Sequence, residues 1–411
     1  MEALYFRQRP SAIIGPSLRS LTQLIMAPAI PGRYVGGPEG SRAFVPSPLP
    51  PSLTWNPGLI RALSDADRAV GRLAGEGGRL PNPHLLIRPF IRREAVLSSR
   101  IEGTQATLGE LLAAEAGASV DRSPADLREV ANYVIALEYG TERLEALPLS
   151  LRLIREVHAH LMEGVRGDQA SPGEFRRIQN WIGPSGCAPA NATYIPPPPS
   201  EMMEALDMLE RFFHDTSLPP LVQAALLHYQ FEAIHPFLDG NGRVGRLLVI
   251  LFLLERKVLP SPLLYLSAFF EATRREYYAR LRGVTQGGEW EAWTEYFLNG
   301  VARQSEDVLS RAARINTLLD RWRLAVAGTS SATAVELVSL LGENPYWTIS
   351  GVAKRLGVAY TTAQRAVQRL VDSSILMPLT DATRDRLYCA EEILGILEEP
   401  TPLVSDPGGT G

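Results

Sequence analysis

The stretch His235-Pro-Phe-Leu-Asp-Gly-Asn-Gly-Arg-Val-Gly-Arg246 decides how this chain of 411 residues is organised. It places one histidine, one aspartate, closely spaced glycines and two arginines directly before the apolar run 247–254. This pattern predicts a tight glycine loop that leads into the N-terminus of a buried helix. Free backbone N–H groups and the helix dipole make such a terminus a binding site for anions.

Each polar side chain of this loop suits one part of a phosphate site. His235 is the side chain of the stretch that accepts a proton near neutral pH. Asp239 offers the hard oxygen ligands that Mg²⁺ takes when it bridges phosphates. Arg243 and Arg246 carry guanidinium groups that bind phosphate oxygens in a forked geometry. An inert surface turn would not need all of these groups together.

The composition excludes several other classes of protein. With 45% hydrophobic and 21% charged residues and a net charge of −4, the chain has no global field that would draw it to nucleic acid or to membranes. Two distant cysteines, Cys187 and Cys389, fit a reducing cytosol and offer no zinc-site spacing. The apolar run 247–254 is too short to span a bilayer. We therefore expect a cytoplasmic protein without a membrane partner.

Periodicity and composition divide the chain into five regions. Residues 1–50, rich in Pro, Gly, Ser and Ala, are predicted to be a disordered tail. Residues 51–120 hold N-terminal helices, and residues 121–326 form a helical core. Residues 327–398 make a small second domain, and residues 399–411 are a second disordered tail.

A segment between the core helices differs from its surroundings. Residues 179–183 and 194–199 flank Pro184-Ser-Gly and predict a short β-hairpin, which a proline run ends. An ordinary surface hairpin is the alternative to any role in binding.

The small C-terminal domain has three helical patterns, 334–341, 348–357 and 360–371, followed by a strand, a turn and a strand. That order resembles a winged helix-turn-helix. Third-helix residues that would face a DNA major groove are Thr361, Thr362, Gln364, Arg365, Gln368 and Arg369. Residues that would contact phosphates are Lys354, Arg355, Arg384 and Arg386. Because Asp372, Asp381 and Asp385 dilute the charge, a protein-interaction or dimerisation module is an open alternative.

The motif 235–246 resembles the signature of Fic-domain proteins, His-Pro-Phe-x-Asp-Gly-Asn-Gly-Arg-x-x-Arg, at every fixed position. The resemblance covers about residues 56–325. It implies an all-α fold, a helical core with a β-hairpin flap, here followed by the winged helix-turn-helix domain. It also implies a nucleotidyltransferase activity, AMPylation, which transfers AMP from ATP to a Ser, Thr or Tyr hydroxyl of a protein.

The resemblance assigns roles to individual residues. His235 would be the general base, and Asp239 would hold Mg²⁺ on the phosphates. The residues that would bind the nucleotide are Gly240, Asn241, Gly242, Arg243, Val244, Gly245 and Arg246, with Tyr277 and Tyr278 at the adenine. For the two tyrosines, core packing is an equally open interpretation. A target protein would lie along the flap as an added strand.

An earlier stretch, Ser98-Ser-Arg-Ile-Glu-Gly103, resembles the family's inhibitory motif. The resemblance implies that Glu102, with Ser98, occupies Arg246 and removes a clamp for the γ-phosphate. Two alternatives remain: Glu102 activates water so that AMP is removed from a modified protein, or the chain is a DNA-binding regulator with a nucleotide-sensing Fic domain. The target stays unidentified; self-modification and a homodimer are expectations from the resemblance.

Overall fold

The computed structural model describes residues 30–77, 83–118, 123–165, 171–184, 186–327, 332–379 and 386–402. Within them the chain is mostly helical and has two small antiparallel sheets. The helices are α1 Pro57–Gly77, α2 Pro83–Ile101, α3 Leu108–Glu115, α4 Pro124–Arg143, α5 Leu151–Leu161, α6 Pro199–Phe213, α7 Pro220–Ile234, α8 Asn241–Glu255, α9 Ser267–Ala272, α10 Arg274–Gly287, α11 Trp290–Ala327, α12 Ala332–Leu341, α13 Ile349–Leu356, α14 Tyr360–Asp372 and α15 Glu391–Glu398. The strands are β1 Gly32–Gly36, β2 Arg42–Pro46, β3 Tyr346–Thr348, β4 Met377–Pro378 and β5 Leu387–Cys389.

Helix α8, which begins inside the motif, lies in the middle of the helical core. All of its residues from 243 to 253 are buried, and it packs against α2, α4, α5 and α7. Helix α7, which ends at the motif, is nearly as apolar on every face. A helix that is hydrophobic all round belongs in a protein interior. The motif loop between α7 and α8 is therefore anchored at both ends by buried helices.

Helix α2 carries the inhibitory sequence and lies across α4, α8 and α9. It ends at Ile101, and Gly103 has a φ of +102°, a region that favours glycine. The next helix, α3, is capped at its N-terminus by Thr107. The Thr107 hydroxyl accepts the Glu110 N–H at 3.2 Å, and the Glu110 carboxylate accepts the Thr107 N–H at 2.8 Å. This reciprocal cap fixes the turn that follows Glu102.

The prediction of a disordered tail over residues 1–50 is wrong from residue 30 onward. Strands β1 and β2 pair antiparallel from Gly32 opposite Pro46 to Gly36 opposite Arg42. The Phe44 side chain is buried, and its N–H donates to the Ile195 carbonyl at 2.9 Å. The hairpin is stabilised by contacts with α6 and α7 far along the chain, which local composition does not reveal. Residues 1–29 lie outside the described residues.

The predicted β-hairpin flap is corrected to a single antiparallel bridge. We call residues 179–184 and 186–195 the flap segment. In it the Ile182 N–H donates to the Tyr194 carbonyl at 2.8 Å, and the Thr193 N–H donates to the Ile182 carbonyl at 2.7 Å. No longer ladder forms in these described residues: the loop inside the bridge holds the short 3₁₀ helix Pro189–Asn191, and outside it Pro196 to Pro199 have no N–H to donate.

The C-terminal domain combines α12, α13 and α14 with an antiparallel sheet in the order β3-β5-β4. Its assignment as a winged helix-turn-helix stays a prediction, and the predicted turn 380–385 lies outside the described residues. Helix α15 packs on α11 and α2.

The start of the predicted C-terminal tail is ordered, contrary to the prediction for 399–411. The buried Arg311 guanidinium donates to Asp307 at 2.8 Å, to the Glu399 carbonyl at 3.0 Å and to the Ile396 carbonyl. Thr401 is buried against Arg93 of α2. Residues 403–411 lie outside the described residues. None of the helices in the described ranges has the length and apolar character needed to cross a bilayer.

Candidate functional site

The motif loop is held in a fixed shape by its own residues. His235 ends α7 with a left-handed backbone, φ 50° and ψ 60°, and Gly240 reverses the chain at φ 77°. The buried Asn241 side chain accepts the Phe237 N–H and donates to the Phe237 carbonyl, both at 2.8 Å. The Phe237 ring is buried and stacks on His158 at 3.7 Å between ring centroids. The first turn of α8 therefore presents its backbone N–H groups in a rigid frame.

Arg243 is buried without the partners that a buried guanidinium normally has. Its Nε and Nη1 atoms make no hydrogen bond among the described residues. Its closest carboxylates, Glu129 and Asp239, stand at 3.9 Å, and its Nη2 meets the Met162 sulfur at 3.7 Å. Such buried donors are costly unless a ligand satisfies them. They point to an anion that completes the site.

Arg246 is hydrogen-bonded to Ser98 of helix α2 and to Glu102, which follows the end of that helix. Its Nε donates to the Ser98 hydroxyl at 2.8 Å, and its Nη2 donates to the Ser98 carbonyl at 3.0 Å and to the Glu102 carboxylate at 2.7 Å. The arginine side chain is only 2% exposed, whereas that of Glu102 is 36% exposed. The geometry is that of a strong charge-assisted pair at the edge of the core.

The Glu102 carboxylate lies directly over the first turn of α8. A Cβ atom at Gly242 would stand 2.2 Å from Glu102 Oε1, so only glycine leaves room for this contact. Burial raises the pKa of Glu102, but Arg246, Arg243 and His235 outweigh it and lower the pKa below its ordinary value. Glu102 is therefore ionised at neutral pH and sits where the loop would otherwise receive an anion.

His235 is neutral in this setting. Burial, with the charge of Arg176, lowers its pKa to about 4, against the opposing influence of Glu102 and Asp239. Its buried Nδ1 atom makes no hydrogen bond of ordinary geometry with any described residue, although the Glu232 carbonyl lies close enough to favour the protonated form. A neutral imidazole at the mouth of an anion site is in the form that accepts a proton.

The remaining carboxylate of the loop, Asp239, is exposed, so it is free to bind a cation together with the phosphates of a ligand. Its side chain is 54% exposed, and its Oδ1 accepts the Gly240 N–H at 2.6 Å. The described residues hold no group of three or more His, Cys, Asp or Glu that would bind a metal by themselves. One exposed carboxylate nevertheless fits Mg²⁺, which binds through one or two carboxylates together with substrate phosphates.

A cavity of about 440 Å³ lies between the β1–β2 hairpin, the flap segment, the C-terminal part of α7 and α10. Tyr278 lines it, together with Leu281, Thr285 and Ile182. Tyr277, in contrast, is buried in the core, where its hydroxyl bonds to His228 Nε2 at 2.9 Å. The structure thus brings Tyr278, but not Tyr277, to the wall of the cavity.

The motif residues Val244 and Gly245 face the protein interior. Both are buried, and the Gly245 carbonyl lies 3.1 Å from His228 Nδ1. A Cβ at Gly245 would stand 2.4 Å from Glu232 Oε1. Gly245 therefore lies against the last turn of α7, where Glu232 stands.

The structure adds residues that the sequence did not single out. Arg176 is buried and donates its Nε to the His235 carbonyl at 2.9 Å and its Nη2 to the Pro197 carbonyl at 2.5 Å. His158 accepts the Gly173 N–H at 2.8 Å on Nδ1, so its Nε2 donates to the Asp239 carbonyl at 3.1 Å. The sequence does indicate Glu232, because a carboxylate one helical turn before His235 is expected near the motif loop. It does not indicate Arg176, because the adjacent Arg177 is of the same residue type.

Comparison with known proteins places this site in a family. Residues 60–142 match the model described as Fic/DOC family N-terminal, and residues 148–253 match that of the Fic/DOC family. The chain thus contains a Fic/DOC family N-terminal domain at residues 60–142 and a Fic/DOC family domain at residues 148–253.

Curated relatives and a solved structure share parts of the chain. The proteins named "Protein adenylyltransferase Fic" of Drosophila virilis and Drosophila erecta are both 33% identical to it over 155 residues, 36% of this chain. That match spans 30% and 29% of the length of these two relatives. The crystal structure of a Fic family protein from Desulfovibrio desulfuricans G20 has the same fold, with a TM-score of 0.56 and 20% identity, over 83% of this chain and 98% of that one.

Proposed function

We propose that this chain transfers AMP from ATP to a hydroxyl group of a protein, and that Glu102 restrains the reaction. The observation that carries the proposal is the 2.7 Å contact of Glu102 with Arg246, over the N-terminus of α8 and beside the unpaired donors of Arg243. The Fic/DOC family domain and the names of the curated relatives support AMP transfer in general.

The residues of the loop would divide the reaction between them. The target hydroxyl oxygen attacks the α-phosphorus, a new P–O bond forms, and the bond to the β-phosphate breaks so that pyrophosphate leaves. Neutral His235 takes the hydroxyl proton. Arg243 and the backbone N–H groups of the first turn of α8 hold the phosphates. Bound Mg²⁺, held by Asp239 and the phosphates, would offset their negative charge.

Restraint follows from the position of the glutamate. With Glu102 in place, Arg246 is occupied, and an ionised carboxylate faces the space that the γ-phosphate would enter. Like charges at such distances repel, so ATP would be bound weakly or with its α-phosphate out of line. Removal of the carboxylate takes the negative charge from that space and breaks the ion pair with Arg246, while the two hydrogen bonds from Arg246 to Ser98 remain.

A target segment has one open edge on the flap segment. The Ile195 carbonyl already accepts the Phe44 N–H, so β2 occupies that side. The other side presents Trp181 and Ile182, which are 39% and 40% exposed, and Ile178, just before the flap segment, is 63% exposed. An extended polypeptide, from another protein or from a second copy of this chain, would add there through backbone hydrogen bonds.

The proposal is tested with labelled ATP and Mg²⁺ on wild type, Glu102→Gly, and Glu102→Gly combined with His235→Ala. We expect label on protein to increase at least tenfold in Glu102→Gly, because one charge-assisted contact contributes about that factor. The second substitution should abolish it. Equal labelling of wild type and Glu102→Gly would contradict restraint, and labelling that persists without His235 would contradict its role as the base.

The reverse reaction is a second candidate, favoured by the ionised state of Glu102. Its lowered pKa leaves a carboxylate that would take a proton from water as that water attacks the α-phosphorus of an AMP-modified side chain. The bond from phosphorus to the side-chain oxygen breaks, AMP leaves, and the side-chain oxygen takes up a proton to become a hydroxyl again. Pre-labelled protein incubated with wild type, but not with Glu102→Gly, would then lose its label. Loss at the same rate in both would exclude this role of Glu102.

The C-terminal domain supports a separate proposal of DNA binding. The residues Thr361, Gln364, Arg365 and Gln368 form an exposed polar face on α14. Of the basic residues around it, Arg355 is paired with Glu343 at 2.9 Å. A gel shift with promoter DNA that weakens with salt and is lost in Arg365→Ala would support this role. A shift unchanged by that substitution would contradict it.

A further inference from the structure

We propose that Glu232 binds the ribose hydroxyl groups of the nucleotide and so makes the site selective for ribonucleotides. The inference rests on the proposed function, because it assumes that ATP occupies the motif loop. It concerns a residue outside the motif, on the last turn of α7.

Glu232 lies between the two parts of the site. On one side its carboxyl stands against the first turn of α8, where its Oε1 leaves no room for a Cβ at Gly245. Its charge and that of Arg246 influence each other's pKa, so the two groups are neighbours. On the other side Glu232 lines the 440 Å³ cavity that contains Tyr278 and Thr285.

The order of these groups follows the order of groups in a nucleotide. Phosphates would lie on the first turn of α8 and on the two arginines, as argued above. A planar base fits the cavity walled by Tyr278, Leu281 and Ile182. The chemical group that joins phosphates to base is the ribose. A carboxyl group at the boundary between the phosphate region and the base cavity would therefore lie beside the ribose of the bound nucleotide.

The carboxyl group of Glu232 is also free to take a new partner. Its Oε1 is buried and makes no hydrogen bond among the described residues. Burial raises its pKa to about 7, with Arg246 lowering and Glu102 raising it. Protonated or not, a carboxyl keeps an acceptor oxygen for a sugar hydroxyl, a pairing also used by acidic residues in dinucleotide-binding domains.

A purely electrostatic role makes a different prediction. If Glu232 only supports the charge of Arg246, its removal should weaken all nucleoside triphosphates by the same factor. If it binds the ribose, its removal should matter only for a nucleotide that carries both hydroxyls. A comparison of ATP with its 2′-deoxy and 3′-deoxy forms separates the two roles.

The experiment measures binding by calorimetry in a background that cannot turn over, Glu102→Gly with His235→Ala. We expect this parent to bind ATP about tenfold more tightly than at least one of the deoxy forms, as expected for one hydrogen bond to a charged acceptor. Glu232→Ala should remove the difference, and the isosteric Glu232→Gln should reduce it. Glu276→Gln, an exposed glutamate of α10 paired with Arg280, should leave it unchanged.

Several results would overturn the inference. A parent that binds all three nucleotides equally, a Glu232→Ala variant that keeps the full difference, or one that weakens all three by one factor would each do so. Both Glu232 variants must unfold at the same melting temperature as the parent, which shows that they are folded. If only Glu232→Gln meets this condition, the comparison of the three nucleotides is made with that variant alone. No binding of any of the three nucleotides to the parent would instead refute the proposed function itself.

Discussion

At the scale of single residues, the proposed restraint of the site depends on which group is hydrogen-bonded to Arg246. Among the described residues, Ser98 and Glu102 accept the three hydrogen bonds that Arg246 donates, two of them at the serine. The adjacent Arg243 has two buried nitrogen atoms without a partner. Arg246 is thus paired within the chain, while Arg243 keeps donors that an anion can satisfy. The proposed restraint of a phosphate site requires this combination.

Ser98→Ala should release part of this restraint. The substitution removes the hydroxyl that accepts Arg246 Nε at 2.8 Å but leaves the carbonyl and Glu102 in place. We expect AMP transfer about fivefold above wild type, the effect of one hydrogen bond of about 1 kcal/mol, and below that of Glu102→Gly. The measurement is the initial rate of labelling with ATP and Mg²⁺.

Ser99→Ala is the matched control for that change. Ser99 is equally buried on the same helix, but its hydroxyl makes no hydrogen bond among the described residues. It should label at the wild-type rate. A Ser98→Ala rate equal to that of Ser99→Ala would show that the serine hydroxyl does not contribute to restraint.

At the scale of elements, Arg176 joins the chain on either side of the flap segment, at Ile178 and Pro197, to the motif loop. Its backbone N–H donates to the Pro236 carbonyl at 2.9 Å, and its guanidinium reaches carbonyls on both sides of the site, those of His235 and Pro197. A planar fork makes several such bonds at once, which a lysine cannot do.

Arg176→Lys should therefore loosen the flap segment while keeping the charge. We expect faster proteolytic cleavage within residues 177–195 and slower AMP transfer in the Glu102→Gly background. Arg177→Lys is the control, because the Arg177 side chain is 86% exposed and pairs only with Glu174 among the described residues. Equal cleavage of the two variants would contradict the role assigned to Arg176.

The elements also show what could be predicted from the sequence. Helices α7 and α8 and the loop between them follow from local patterns: an apolar run, closely spaced glycines and a histidine at the helix end. The β1–β2 hairpin did not, because its burial depends on partners such as Ile195. The same holds for Arg176, whose burial distinguishes it from Arg177 only after the chain is folded. The pairing of Glu102 with Arg246 came from family resemblance, and the structure places the two groups in contact.

At the scale of the whole molecule, the segment after α15 is hydrogen-bonded to α2, the helix that ends directly before Glu102. Arg93 of α2 donates to the Glu399 carbonyl at 3.4 Å and to the Thr401 hydroxyl at 3.3 Å, and Arg311 of α11 holds the same tail. Helix α2 therefore lies between the motif helix α8 and the C-terminal segment.

The molecule should lose stability in mild acid. Burial lowers the pKa of His158 to about 4, of His228 to about 3 and of His235 to about 4, from an ordinary value of 6.5. The unfolded chain binds these protons below about pH 6.5, and the folded chain does not until about pH 4, so stability present above pH 6.5 is lost as the pH falls through this window. The raised pKa of Glu232 opposes the trend by one proton between about pH 4.5 and 7.

Denaturant unfolding between pH 7 and 5 checks this expectation. Each buried histidine contributes a slope of up to about 1.4 kcal/mol per pH unit to the free energy of unfolding. His228→Gln should lower this slope by up to about 1.4 kcal/mol per pH unit, because it removes one of the protons taken up on unfolding. A slope that is the same in wild type and His228→Gln would contradict the neutral state assigned to His228.

The most direct test of the central claim is the identity of the group that reaches the protein. The Glu102→Gly variant is incubated with Mg²⁺ and ATP labelled at the α-phosphate or, separately, at the γ-phosphate. Transfer of AMP predicts that the α-label stays on protein and the γ-label does not, with both absent when His235→Ala is added. Protein labelled from the γ-phosphate, or from neither position, would contradict the account.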